Sequence, residues 1–106
     1  EKKSINNIFE KKDSFYEVGG KRVKKFENEF SKYIGCKYAV TVSSGTAAIK
    51  TALIASGVQR GDEVITQAFT FIATVGAIID IGAIPVIVNI DETLNMCPKE
   101  FKKKNY

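Results

Sequence analysis

The stretch Tyr38–Gly57, YAVTVSSGTAAIKTALIASG, decides how the rest of the chain is read. Tyr38–Val42 is a short β-branched run, Ser43-Ser44-Gly45-Thr46 interrupts it, and an alanine-rich apolar stretch continues to Ala55 before Gly57. That order predicts strand, turn and helix. The pattern recurs downstream: Gly61-Asp62 marks a turn, Glu63–Thr66 a second strand, Phe71–Ile81 a second helix closed by Gly82, and Pro85–Ile90 a third strand. Strands that are apolar throughout, rather than alternating, and joined by short helices predict an α/β fold with a parallel sheet covered on both faces.

Upstream of this alternation, Val23, Phe26, Phe30 and Ile34 recur at helical spacing, with Lys21, Arg22, Lys24, Lys25 and Lys32 on the remaining faces. Residues 1–37 hold 10 of the 16 basic and 6 of the 12 acidic residues, and Lys99, Lys102, Lys103 and Lys104 sit at the other end. The net charge of +4 is therefore concentrated on a solvated helix face and a tail, diluted by Glu27 and Glu29. Nucleic acid is not an expected partner. Ala68–Ile90 is long and apolar enough to suggest a membrane span, but Asp80, Gly82 and Pro85 interrupt it. An Asp mid-span costs roughly 2.5 to 3.5 kcal/mol, so a buried helix followed by a buried strand is expected instead, and no membrane partner.

The 106 residues contain no His, which removes the Ser/His/Asp triad, the Cys/His pair, the HExxH zinc site and imidazole acid–base chemistry. A cofactor or a carboxylate would have to carry any catalysis. Cys36 and Cys97 form no CxxC or Cys/His cluster, so no metal site or disulfide framework is expected, only two reduced, partly buried thiols in a cytoplasmic protein. No charged-then-apolar leader follows Glu1.

The first strand-to-helix junction holds most of the chemistry. Ser43-Ser44-Gly45-Thr46-Ala47-Ala48 puts hydroxyls, a glycine and small side chains where a helix opens, leaving backbone N–H groups approachable by an anion. Gly45 allows close backbone approach, Thr46 adds a hydroxyl, and the helix dipole adds about 0.3 to 1 kcal/mol of attraction for a phosphate. The segment is neither GxxxxGK[ST] nor GxGxxG, which disfavours a nucleotide P-loop and a dinucleotide fold. Ser44 acting as a plain N-cap is the competing reading. The second junction, Gln67-Ala68-Phe69-Thr70-Phe71, places an aromatic at the carboxyl end of a strand, where ligands of parallel sheets bind. A flat phosphorylated heteroaromatic suits the pair, although Phe71 as ordinary core packing stays open.

In order and spacing, Phe26-Glu27 with Phe30 and Tyr33-Ile34-Gly35, Val42–Ala48, Gly61–Ile65, Phe69–Thr74, Gly82-Ala83 with Pro85-Val86, and Asn89–Asp91 resemble the amino-terminal part of the DegT/DnrJ/StrS family of pyridoxal 5'-phosphate (PLP)-dependent sugar aminotransferases. The resemblance runs from about Phe15 onward. It implies a partial large domain of the aspartate-aminotransferase-like fold, a three-layer αβα sandwich (PLP fold type I). Residues 1–37 become an amino-terminal helical segment, and 38–106 the first three strand/helix units of an incomplete PLP-binding domain. It also implies a homodimer that moves an amino group from an amino acid, commonly glutamate, to a nucleotide-linked keto sugar. Thr46 and Ala47, with Gly45, match the positions that hold the PLP phosphate, and Phe71 matches the aromatic that stacks on the pyridine ring.

The family's Asp that pairs with the pyridine nitrogen and its Schiff-base lysine lie beyond the matched region. Neither Lys50 nor Lys99–Lys104 sits at the lysine motif, so no catalytic residue is assigned and this chain by itself is expected to be inactive. In that fold the first strand lies beside a late one, apart from the second and third, so Tyr38–Val42 has no proper partner here and the chain is expected not to fold stably alone. The alternative is a small non-enzymatic α/β module, or a truncated paralogue, that binds a phosphorylated ligand or a partner subunit.

Overall fold

The computed structural model describes Lys2, Lys3, Ile5, Asn6 and residues 20–104, the last two by backbone only. Phe15, where the resemblance begins, lies outside the described residues, as does the rest of the 1–37 helical segment before Gly20 apart from Lys2, Lys3, Ile5 and Asn6. The chain divides into two compact units, Glu1–Thr41 and Val42–Tyr106.

In the first unit, α1 (Gly20–Ile34) carries the expected stripe. Phe26 and Phe30, one turn apart, stack with ring centroids 5.7 Å apart, and the i,i+4 pair Lys25–Glu29 closes to 3.7 Å on the polar side. The stripe buries little: Phe26, Phe30, Tyr33 and Ile34 all remain exposed. Gly35, at φ 78°, ends the helix, because its left-handed backbone lets the Cys36 N–H reach back to the Ser31 carbonyl at 3.0 Å. Cys36 itself is exposed rather than partly buried, since it lies just past this stop; Cys97 is half-buried, and both are free thiols.

The second unit runs α2 (Gly45–Ala55), β1 (Glu63–Gln67), α3 (Ile72–Asp80), β2 (Ile84–Val88) and α4 (Pro98–Lys104). β1 and β2 pair in parallel from Glu63↔Ile84 to Gln67↔Val88, and Ala68 N–H extends the ladder to the Val88 carbonyl at 2.9 Å. Between them α3 packs on both strands and also against α2, forming a strand–helix–strand unit. Its core is small: Ala77 and Ile78 from α3, Ala83 from the turn, and Val88. Gly82 makes the tight return possible. It sits at φ 80°, its carbonyl accepts the Gly61 N–H at 2.9 Å, and a Cβ there would meet the Arg60 Cγ at 2.9 Å.

Three expectations need correcting. Tyr38–Val42 is not a strand: the sheet of the described residues is two-stranded, and this run, with Tyr38 and Val40 each 75% exposed, enters no ladder. A strand needs a neighbour for its N–H and C=O groups, and propensity does not supply one. The third strand begins one residue earlier than expected and stops at Val88, because Ile90 instead forms an antiparallel bridge with Met96 across the Asp91–Asn95 turn. Finally, the described residues cover neither face of the sheet completely. Thr66 and Val88, on opposite faces, are buried, but Ile84 and Ile87 stay half-exposed and α2 contributes no buried residue. Among the described residues no helix is long and apolar enough to cross a membrane; Ala68–Ile90 resolves into α3, the Gly82 turn and β2.

Candidate functional site

Ser44 is the N-cap of α2. Its backbone is extended, with φ −161° and ψ 164°, and its hydroxyl accepts the Ala47 N–H at 3.1 Å while its carbonyl accepts the Ala48 N–H at 3.0 Å. The cap reading of this serine therefore holds. It also defines what is left over. With Ala47 and Ala48 engaged, the N–H groups of Gly45 and Thr46 have no hydrogen-bond partner among the described residues. No acidic residue occupies the first turn, and no atom lies within 4 Å of where a Gly45 Cβ would stand. Two unpaired amides at the positive end of a helix, beside the Thr46 hydroxyl and with no competing carboxylate, suit an anion.

Phe71 lies at the carboxyl end of β1, four residues past Gln67, as the N-cap residue of α3. It is 78% exposed, which disposes of core packing as its role within this chain. Its turn is held by neighbours: the Gln67 side-chain amide donates to the Phe69 carbonyl at 2.7 Å, the Thr70 and Thr74 hydroxyls lie 2.9 Å apart, and the Thr74 N–H donates to the Phe71 carbonyl at 2.9 Å. No hydrogen bond, ion pair or ring contact joins Phe71 to Gly45, Thr46 or Ala47 among the described residues. Both positions open helices of the second unit, and α2 and α3 pack against each other. Lys50 of α2 pairs with Asp80 at the end of α3 at 3.5 Å, so it serves this helix pair.

One contact had no signal in the sequence. A single oxygen of Glu27, in α1, accepts both the Thr41 N–H at 2.8 Å and the Thr41 hydroxyl at 2.9 Å. The backbone bond first, then the hydroxyl, hold the Glu27 carboxyl below the usual glutamate range. Asp91 is lowered for a similar reason: the Thr93 hydroxyl and then its N–H bind the carboxylate within the turn after β2. Among the described residues no group of three or more Cys, Asp and Glu side chains converges as a metal site would require.

The model of the DegT/DnrJ/EryC1/StrS aminotransferase family matches residues 1–104. The chain belongs to that family. A relative, the spore coat polysaccharide biosynthesis protein SpsC of Bacillus subtilis (strain 168), is 46% identical over 98 residues, covering 92% of this chain and 25% of SpsC. The solved aminotransferase from Psychrobacter cryohalolentis superposes with a TM-score of 0.84 at 32% identity, over 95% of this chain and 26% of that one. A GDP-4-keto-6-deoxymannose-3-dehydratase, solved with a trapped PLP-glutamate geminal diamine, gives a TM-score of 0.75 at 33% identity, over 82% of this chain and 24% of that one. The chain thus spans about a quarter of the length of these family members. The neighbours are PLP fold type I enzymes, and the parallel β1–β2 pair with its helices is a portion of that α/β domain.

Proposed function

We propose that these residues are the amino-terminal portion of a PLP-dependent aminotransferase that acts on a nucleotide-linked keto sugar, with glutamate as amino donor. Membership of the family supports the reaction class, and a neighbour named for a GDP-linked keto sugar and trapped with PLP and glutamate supports the substrate, cofactor and donor. The observation that carries the reading is the pair of unpartnered amides at Gly45 and Thr46, on a helix whose first turn holds no acid. The donor set fits a phosphate: N–H groups and hydroxyls, with no negative charge to repel it.

In this reading the Gly45 and Thr46 N–H groups and the Thr46 hydroxyl bind the phosphate. Ala47 joins them when the Ser44 hydroxyl turns from its N–H to the anion. Phe71 offers a flat exposed face for the pyridine ring to stack on. The bound cofactor supplies the electron sink for amino exchange; the residues here anchor and orient it. The groups that would complete the site, the Schiff-base lysine and the aspartate at the pyridine nitrogen, are expected from further sequence, so this chain alone is inactive. On the same reading the intact protein is a cytoplasmic homodimer.

The test is PLP affinity in the full-length protein. Losing hydrogen bonds to a charged phosphate costs about 1.5 to 3 kcal/mol, so Thr46→Ala should weaken PLP roughly 10- to 100-fold, and Phe71→Ala should also loosen it. Unchanged affinity in both variants removes the assignment.

A further inference from the structure

Phe71 offers a ring but no group that could hold its own backbone: a phenyl side chain carries no hydrogen-bonding atom, and as the N-cap residue of α3 it makes no side-chain cap. Its position depends on neighbours, and the second unit supplies them on both sides. Gln67, the last residue of β1, is paired with Val88 of β2, and the next amide, the Ala68 N–H, bonds to the Val88 carbonyl at 2.9 Å. From this fixed base the half-buried Gln67 side chain reaches over Ala68 and donates to the Phe69 carbonyl at 2.7 Å. That carbonyl belongs to the planar Phe69–Thr70 peptide, so holding its oxygen sets the direction in which the chain enters Thr70. On the far side the Thr70 and Thr74 hydroxyls lie 2.9 Å apart, and the Thr74 N–H donates to the Phe71 carbonyl at 2.9 Å. Only Thr70 stands between the peptide that Gln67 holds and Phe71.

We propose that Gln67 is a positioning residue for the Phe71 ring: its side-chain amide, by holding the Phe69 carbonyl, fixes the turn that presents the ring at the carboxyl end of β1. The role toward PLP rests on the cofactor reading above. Gln67 acts through the backbone of residues 69–71, in the way an outer partner orients a ligating group. A ring held in one orientation before binding stacks at a smaller ordering cost than one that swings. The chemistry required is a donor at the reach of a glutamine amide. Methionine is of similar length and volume and has no donor, so Gln67→Met separates the bond from the packing.

The experiment uses the full-length protein stripped of cofactor, with two readouts: PLP affinity followed by absorbance and, without PLP, exchange of the Thr74 amide, whose acceptor is the Phe71 carbonyl. Gln67→Met should weaken PLP about threefold or more, by less than Phe71→Ala does, and should speed Thr74 exchange. In the Phe71→Ala background the same change should leave PLP affinity within about 1.5-fold, because its effect passes through the ring. A merely structural role would weaken binding equally in both backgrounds, and that result overturns the proposal. So does a Gln67→Met variant that binds PLP like the parent while Phe71→Ala does not. If Phe71→Ala itself has no effect, the stacking reading fails by itself, and exchange decides Gln67: faster Thr74 exchange upholds its hold on the turn, unchanged exchange overturns it. Should Gln67→Met not fold, Gln67→Leu, also without a donor, goes through the same cycle and is judged by the same outcomes.

Discussion

Tyr38–Val42 and Ile84–Val88 are five-residue runs of similar make-up, the one ending Val40-Thr41-Val42 and the other Val86-Ile87-Val88, and their fates in the molecule differ. Ile84–Val88 pairs with β1 along its whole length and buries Val88. Among the described residues Tyr38–Val42 enters no ladder, leaves Tyr38 and Val40 three-quarters exposed, and bonds through Thr41 to the carboxylate of Glu27. The second run has a partner because α3 returns the chain beside β1, and the Gly82 turn closes that return with a hydrogen bond from Gly61. Among the described residues nothing comparable brings a neighbour to the first. A strand sequence states a readiness to pair; a ladder requires a second backbone in reach.

The contrast can be broken or sharpened by measurement. The largest effect is expected in the core that holds the paired run. Ile78 of α3, 2% exposed, should cost the full-length protein about 2 to 5 kcal/mol when changed to Ala, read from the denaturant midpoint. A cost under about 0.5 kcal/mol would mean that the small core does not hold the β1–β2 pair. Next comes the effect of the missing partner. Shortening the full-length protein to these 106 residues should lower amide protection of residues 38–42 about tenfold more than that of 84–88, because the second run is paired with β1 and the first has no ladder among the described residues. Equal losses would erase the distinction. The smallest effect belongs to the turn that follows the paired run. Asp91 is held below its ordinary value, so its bonds to Thr93 contribute fully at neutral pH and are lost as pH falls through that lowered value. Exchange of the Thr93 amide, corrected for its intrinsic pH dependence, should therefore rise only below the ordinary aspartate range. A rise near pH 6 would contradict the assignment.

Much of the second unit was legible in advance. The α2 and α3 helices, β1 and the Gly82 stop follow from apolar runs punctuated by glycine, features that act within a few residues of each other. Ser44 as a cap was equally local, since a hydroxyl three residues before an amide is enough to define it. The Ser-Gly-Thr helix opening was visible in the sequence, but that the Gly45 and Thr46 amides are left without a partner among the described residues depended on how Ser44 spends its hydroxyl and carbonyl. Phe71 could be placed at a strand end, while its exposure depended on how little of this chain comes near it. The Glu27–Thr41 contact spans fourteen positions with no periodicity to announce it, and was not legible at all.

The α/β class and the family follow from the amino-acid order alone, because they rest on local order, spacing and side-chain chemistry. Tertiary structure decided which β-branched run became a strand among the described residues and which carboxylate binds Thr41. Those outcomes depend on what each group meets across space, and a hydrogen-bonding or apolar group has no fixed fate until its partner arrives.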